Sequence, residues 1–308
     1  MAQQNDTPNA GRRAALECML WAGSGVLWTM VGGIPRSSVL AATPEPTDDF
    51  SFAQISDSHL GFSAAPNTDV TGTFQLALAQ VQHHAKPALM IHTGDVSHLS
   101  RAAQFDTAWQ LVSTTGIETH YVPGEHDVLD NDGADFFARF TKGGPKGWYS
   151  FDQQGVHFIG LNNVQNLQAG GLGNLGDAQL AWLKQDLEGR AASQPIVVFA
   201  HIPLWTVSET WGWGTADSEQ ALALLRRFGS VTVLNGHIHQ VMQKVEGHVA
   251  FHTARSTAFP QPAPGTAPSP GPMKSVPAEK LRSMLGVRQV TLVRGQSDLA
   301  VVDSVLEG

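Results

Sequence analysis

Ala88-Leu89-Met90-Ile91-His92-Thr93-Gly94-Asp95 carries a short apolar run straight into a glycine and a carboxylate. The run is too short for a helix and reads as a buried strand. Gly94 lets the chain turn sharply where the strand stops, and Asp95 is delivered at that turn. The same arrangement recurs along the chain. Strand 50–56 ends on Asp57-Ser58-His59, and strand 118–122 ends on Gly124-Glu125-His126-Asp127. Strand 195–200 ends on His201, and strand 230–234 ends on Gly236-His237-Ile238-His239. Within Asp57/His59 and His237/His239 the side chains are two residues apart, so an extended backbone turns both members of each pair to one side.

Helical stretches separate these strands at residues 72–85, 102–112, 134–140, 177–187 and 218–228. Strands 147–152 and 156–162 are joined by a tight turn. A hairpin is expected at 240–245 and 249–253, and strands 289–293 and 299–305 close the chain. Alternation of this kind predicts an α/β layered domain with helices outside and ligand sites at the carboxyl ends of strands. No linker divides residues 43–308, so one domain is expected, with the Pro-, Gly-, Ala- and Ser-rich segment 260–277 as an extended surface loop.

Composition narrows the chemistry. The chain has 308 residues, 42% of them hydrophobic, and is globular in type. Lys and Arg number 19 against 27 Asp and Glu, for a net charge of −8, which argues against a basic patch for nucleic-acid backbones. A single cysteine, Cys18, excludes disulfides and thiolate metal sites. Thirteen histidines direct metal chemistry to imidazole and carboxylate ligands.

The N-terminus reads as an address. Arg12-Arg13 and Leu16 precede an uncharged, moderately apolar stretch from 18 to 35, and small residues follow at Ala41-Ala42. Residues 1–42 therefore match a twin-arginine-type secretory signal, with Ala15 in place of the usual phenylalanine. The expectation is export to the periplasm or beyond, with no stable membrane span in the mature chain; a retained anchor is the alternative.

The ordered set DSH, GD, GEHD, H and GHIH resembles the calcineurin-like metallophosphoesterase superfamily over residues 50–253. The resemblance implies an α/β fold, a layered β-sandwich flanked by helices (αββα). It implies two divalent or trivalent metal ions, Fe, Mn or Zn. Asp57, His59 and His239 would hold one, Glu125, His201 and His237 the other, and Asp95 both. His126 would contact phosphate and protonate the leaving oxygen, with Asp127 orienting its ring. Glu125 departs from the family's usual asparagine and adds a negative charge. The implied activity is hydrolysis of small or lipid-like phosphate esters, and the DSH and GEH segments are most similar to the cyclic-nucleotide phosphodiesterase branch. A non-catalytic metal-binding module and a metal-dependent nuclease are the alternatives.

Several residues stay open at this level. His98, three residues after Asp95, reads as pocket wall rather than ligand. Trp205, Trp211 and Trp213 follow His201 and either stack a nucleobase or acyl chain or pack their own loop. Arg255 is either a phosphate contact or a surface arginine. His92 reads as a hydrogen-bonded core residue.

Overall fold

A computed structural model describes residues 26–31, 34–39, 50–84, 87–141, 144, 146–293 and 299–306. Arg12-Arg13 and most of the signal expected at 1–42 lie outside these residues. The backbone at Val26–Val31 (β1) and Ile34–Val39 (β2) forms an antiparallel hairpin with Val26 opposite Val39. Among the described residues no helix is long and apolar enough to cross a membrane.

The remaining strands form two sheets. The first contains Phe50–Ile55 (β3), Leu89–His92 (β4), Thr119–Tyr121 (β5), Gly286–Leu292 (β12) and Leu299–Val305 (β13), in the order β13-β12-β3-β4-β5. The second contains Tyr149–Gln153 (β6), Val156–Gly160 (β7), Ile196–Phe199 (β8), Val231–Asn235 (β9), Gln243–Glu246 (β10) and Val249–Thr253 (β11), in the order β10-β11-β9-β8-β7-β6. β3, β4 and β5 are parallel, as are β7, β8, β9 and β11. Their carboxyl ends therefore gather at one edge of the sandwich.

Period-two alternation decides what each face buries. In β3, Phe50 and Phe52 face the second sheet, and Phe52 meets Phe158 edge-on at 5.2 Å. Leu89, Ile91, Val197, Phe199, Leu234 and Val290 complete this central layer. Ala53 and Ile55 face the other way, against the helices. Val70–His84 (α1), Ala102–Ser113 (α2) and Ala134–Phe140 (α3) cover that side, α2 through Phe105, Ala108 and Val112 at helical spacing. Asp177–Leu187 (α4) and Ser218–Leu225 (α5) cover the second sheet. The order is helix, sheet, sheet, helix, the layered α/β sandwich expected from the sequence.

Two features go beyond the sequence reading. Residues 260–277 form a surface loop without helix or strand, and it is tied down at both ends. Met273 N–H donates to Pro260 O at 3.0 Å and closes the segment into a loop, while the Gln261 amide donates to His237 O at 2.8 Å. The C-terminal region also holds a helix, Ala278–Met284 (α6), that the sequence did not announce. Its Leu281 is buried with Leu285 and Leu306, so packing rather than periodicity sustains so short an element.

Candidate metal centre

Each proposed ligand follows the end of a strand, and five of the seven adopt a backbone conformation that L-residues avoid. Asp57, His59, Asp95, His237 and His239 all have positive φ, between 41° and 69°. Such conformations cost about 1–3 kcal/mol each and persist where surrounding contacts over-determine them. Here those contacts are dense: Asp57 N–H donates to Gly94 O at 3.0 Å, His59 N–H to Asp95 O at 2.9 Å, and His237 N–H to Asp57 Oδ1 at 3.0 Å. Gly124 and Gly236 permit the close approach. A Cβ on Gly124 would strike the Asp95 carboxylate, and one on Gly236 would strike Ser56 Oγ and Asp57 Oδ2.

The strand ends bring the side chains together. Asp57, His59 and His239 form one group and Glu125, His201 and His237 a second. Asp95 Oδ2 lies 3.4 Å from His59 Nε2 and 3.4 Å from His201 Nε2, so it stands between the two groups. His239 Nε2 is 3.2 Å from Asp57 Oδ1, and Glu125 reaches His201 Nε2 at 2.9 Å and His237 Nδ1 at 3.0 Å. Ligands bound about 2.0–2.2 Å from a common ion stand roughly 2.8–3.6 Å from one another, and these separations fall in that range.

Backbone carbonyls set the imidazole tautomers. His201 Nδ1 donates to Thr93 O at 2.6 Å and His239 Nδ1 to Phe259 O at 2.6 Å. A carbonyl only accepts, so in each neutral ring Nε2 presents a lone pair to the centre. The His237 Nε2 atom is buried without a partner. Nitrogen lone pairs facing carboxylate oxygens are repulsive unless a proton or cation lies between them. The donor set therefore fits metal ions of the N- and O-preferring kind, and Glu125 stands within the second group.

Without metal, protons fill that need. Burial pushes His201 down, but Asp95 and Glu125 outweigh it and hold the imidazole well above its ordinary pKa. Burial raises Glu125, yet His237 and His201 bring it well below the ordinary range. Asp57 falls to about 2 because His239 and His201 overcome its desolvation. Burial and the neighbouring histidines keep His59 well below its usual value, and hence neutral.

His126 lines the cavity above the cluster, and its Nδ1 donates to His98 O at 2.7 Å. The expectation that Asp127 orients this ring is corrected. Asp127 is fully buried and accepts from Ser97 N at 2.8 Å, Ser97 Oγ at 2.9 Å, and Val96 N and Gly124 N at 3.0 Å. It fastens the loop after β4 to the loop after β5, and it reaches the His126 ring as a nearby charge. Burial, then Asp95, raise Asp127 to about 7. Burial would lower His126, but Asp95 and Glu125 raise it.

His98 is the residue whose part the sequence understated. Its carbonyl holds His126, its ring stacks on that ring at 4.9 Å, and its Nδ1 is 3.3 Å from His59 Nδ1. Phe259, also unmarked in the sequence, stacks on His59 at 4.7 Å. The tryptophans divide: Trp211 and Trp213 line the cavity in edge-to-face contact, whereas Trp205 packs on Phe251 in the core. Arg255 turns away and donates to the Met284 and Ser283 carbonyls. His92 is buried, with Nε2 3.0 Å from Ser58 Oγ.

The cavity measures about 360 Å³. Leu167, Trp211, Trp213, Phe259, Pro270 and Pro272 form its apolar wall, and no Lys or Arg lines it among the described residues.

The sequence profile of the calcineurin-like phosphoesterase family matches residues 50–241. A probable cyclic nucleotide phosphodiesterase of Vesicomyosocius okutanii is 26% identical over 68% of this chain and 88% of its own length. One from Rhodopseudomonas palustris is 24% identical over 59% of this chain and 68% of its own. Among solved structures, a dimetal phosphatase from Danio rerio superposes with a TM-score of 0.58 at 14% identity, covering 84% of this chain and 99% of that one. A purple acid phosphatase from yellow lupin seeds gives 0.59 at 12% identity, over 83% and 52%. These two show the fold. The chain belongs to the calcineurin-like phosphoesterase family and is a hydrolase of phosphoesters.

Proposed function

We propose that this member of the calcineurin-like phosphoesterase family cleaves small phosphodiesters, cyclic nucleotides among them, at a two-metal centre. Asp57, His59 and His239 hold one cation, Glu125, His201 and His237 the other, and Asp95 both. The observation that carries this reading is the placement of Asp95 Oδ2 at 3.4 Å from one histidine of each group. When bound, such a metal pair supplies Lewis acidity toward phosphoryl oxygens and a nucleophile near neutral pH.

The protein's own groups do the rest. His126 Nδ1 is committed to the His98 carbonyl, so only Nε2 exchanges a proton with the departing oxygen. The wall of Trp211, Phe259 and the prolines excludes water and accepts an apolar or planar substituent. Among the described residues the lining has no Lys or Arg. The second negative charge of a monoester therefore finds no cationic side chain to pair with, and a monoanionic diester needs none. The printed names of the relatives support the same preference.

A panel separates the readings: bis(p-nitrophenyl) phosphate, 3′,5′-cyclic AMP, p-nitrophenyl phosphate, a lipid-headgroup diester and single-stranded DNA, each with Mn, Fe or Zn and with chelator. Chelator-sensitive turnover of the small diesters, at higher kcat/KM than the monoester, is expected. Preferred turnover of the monoester or of DNA, or a loaded protein that turns over nothing, overturns the proposal. The Arg12-Arg13 pair supports the reading that this activity is exercised outside the cytoplasm. Arg12→Lys with Arg13→Lys should leave the protein in the cytoplasm, and undiminished export would remove that part of the reading.

A further inference from the structure

A buried polar ladder runs from the C-terminal hairpin to the metal centre, through a layer that is otherwise apolar. Gln54, Arg288 and Asp303 are direct cross-strand partners on β3, β12 and β13. Arg288 is 1% exposed and Gln54 0%. The guanidinium holds Asp303 as a fork, through Nε to Oδ1 and Nη2 to Oδ2, both at 2.9 Å, and its remaining donors reach Thr253 O at 2.8 Å and Gln54 Oε1 at 3.0 Å. That last bond fixes which way the Gln54 amide faces. Gln54 Nε2 then donates to Thr93 Oγ1 at 3.0 Å and to Asn235 O at 3.2 Å.

Both recipients adjoin His201. Thr93 supplies the carbonyl that accepts His201 Nδ1–H at 2.6 Å, and its hydroxyl donates to Ser56 Oγ at 2.7 Å, next to Asp57. Asn235 Nδ2 donates to Ala200 O at 3.0 Å and Ile202 O at 3.1 Å, on either side of His201 in the chain. A buried arginine in a sandwich core is costly unless every donor is satisfied. An apolar residue would fill the same place, as Val290 does two residues on.

We propose that Arg288, Asp303 and Gln54 are positioning residues for the second cation. By orienting Thr93 and Asn235 they hold His201 in the tautomer and place that leave Nε2 free as a ligand. The inference rests on the reading that His201 holds a cation. It places a determinant of metal binding at residues 288 and 303, beyond the 50–241 segment that matches the family.

The test is a metal titration of the full chain, with bound Mn or Zn counted by elemental analysis on protein shown to be folded by circular dichroism. Partners of this kind typically change metal affinity about 10–100-fold. Gln54→Met, close in shape and without the amide, should keep the first metal and bind the second at least about tenfold more weakly. Excess metal should restore kcat. Arg288→Lys keeps a cation beside Asp303 but loses the fork, and should weaken the same metal to a smaller degree. It serves as the readout if Gln54→Met does not fold. Unchanged affinity for both metals in a folded variant, or equal weakening of both, overturns the inference. Wild-type protein that binds no metal would instead refute the two-metal reading itself.

Discussion

The floor and the rim of the cavity are built by opposite means. On the floor, Asp57, His59, Asp95, His201 and His239 are buried to within 2% exposure. All but His201 sit in strained backbone, and donors from neighbouring strand ends hold them. On the rim, Leu167 is 41% exposed, Trp211 is half-buried, and Pro270-Gly271-Pro272 come from a loop closed by a few hydrogen bonds. Strain is affordable where two sheets converge, so the reactive groups are placed there and the reaction is fixed with them. The rim carries little strain and few partners, which leaves selectivity to loops that can change without disturbing the chemistry.

Breaking the floor should cost most. Asp95→Ala is expected to lose metal at both groups and to lower kcat/KM by more than about a thousandfold, as removal of several kcal/mol of charge stabilisation requires. Elemental analysis and diester turnover read this together; a variant retaining two metals and wild-type rate would contradict the bridging role. His126→Ala should keep its metals and slow turnover about 100- to 1,000-fold, more for poor leaving groups than for p-nitrophenol. An equal loss across leaving groups would reject its role as acid.

Gly236→Ala probes the strain directly. The added methyl meets Ser56 and Asp57, so thermal unfolding should show a loss of about 1–3 kcal/mol along with reduced metal content. At the rim, Trp211→Ala should raise KM for cyclic AMP about tenfold, the scale of one lost ring stack. Glycerophosphocholine, which has no ring, should change little; equal effects on both would return Trp211 to a packing role.

The smallest effect lies away from the cavity and serves as a control. The buried His157 ring has Nε2 2.7 Å from Asp186 and Nδ1 3.0 Å from Asp152. Burial alone would raise Asp186, but hydrogen bonds from His157 and Ser150 bring it below its ordinary value of 3.8. Its contribution is therefore present above pH 3.8 and fades as pH falls through the lowered value. Asp186→Asn should cost about 1 kcal/mol in urea unfolding at pH 7, and the gap should narrow below about pH 4. A gap independent of pH would show that the carboxylate's charge is not what matters.

The layered fold was legible because strand and helix periods alternate cleanly from Phe50 to Asn235 and each strand is short and apolar. The candidate ligands were legible because each stands one to five residues beyond such a run. What escaped was set by backbone. No side-chain pattern announces that the carbonyls of Thr93, His98 and Phe259 fix three imidazoles, or that Asp127 serves amides instead of a ring. Arg288 went unmarked, one residue before the strand expected at 289–293, since cross-strand partners far apart in sequence leave no local signature. The composition of 260–277 spoke for a surface loop but not for its anchoring, since Gln261 and Met273 tie it down over the site through backbone carbonyls.

The most direct test is to strip the full-length protein with chelator, restore Mn, Fe or Zn in steps, and follow bound metal and phosphodiester hydrolysis in the same samples. Two metals per chain, with turnover returning as the second is bound, is the expected result. A folded protein that takes up no metal, or hydrolyses equally well without any, would contradict the two-cation centre on which the account stands.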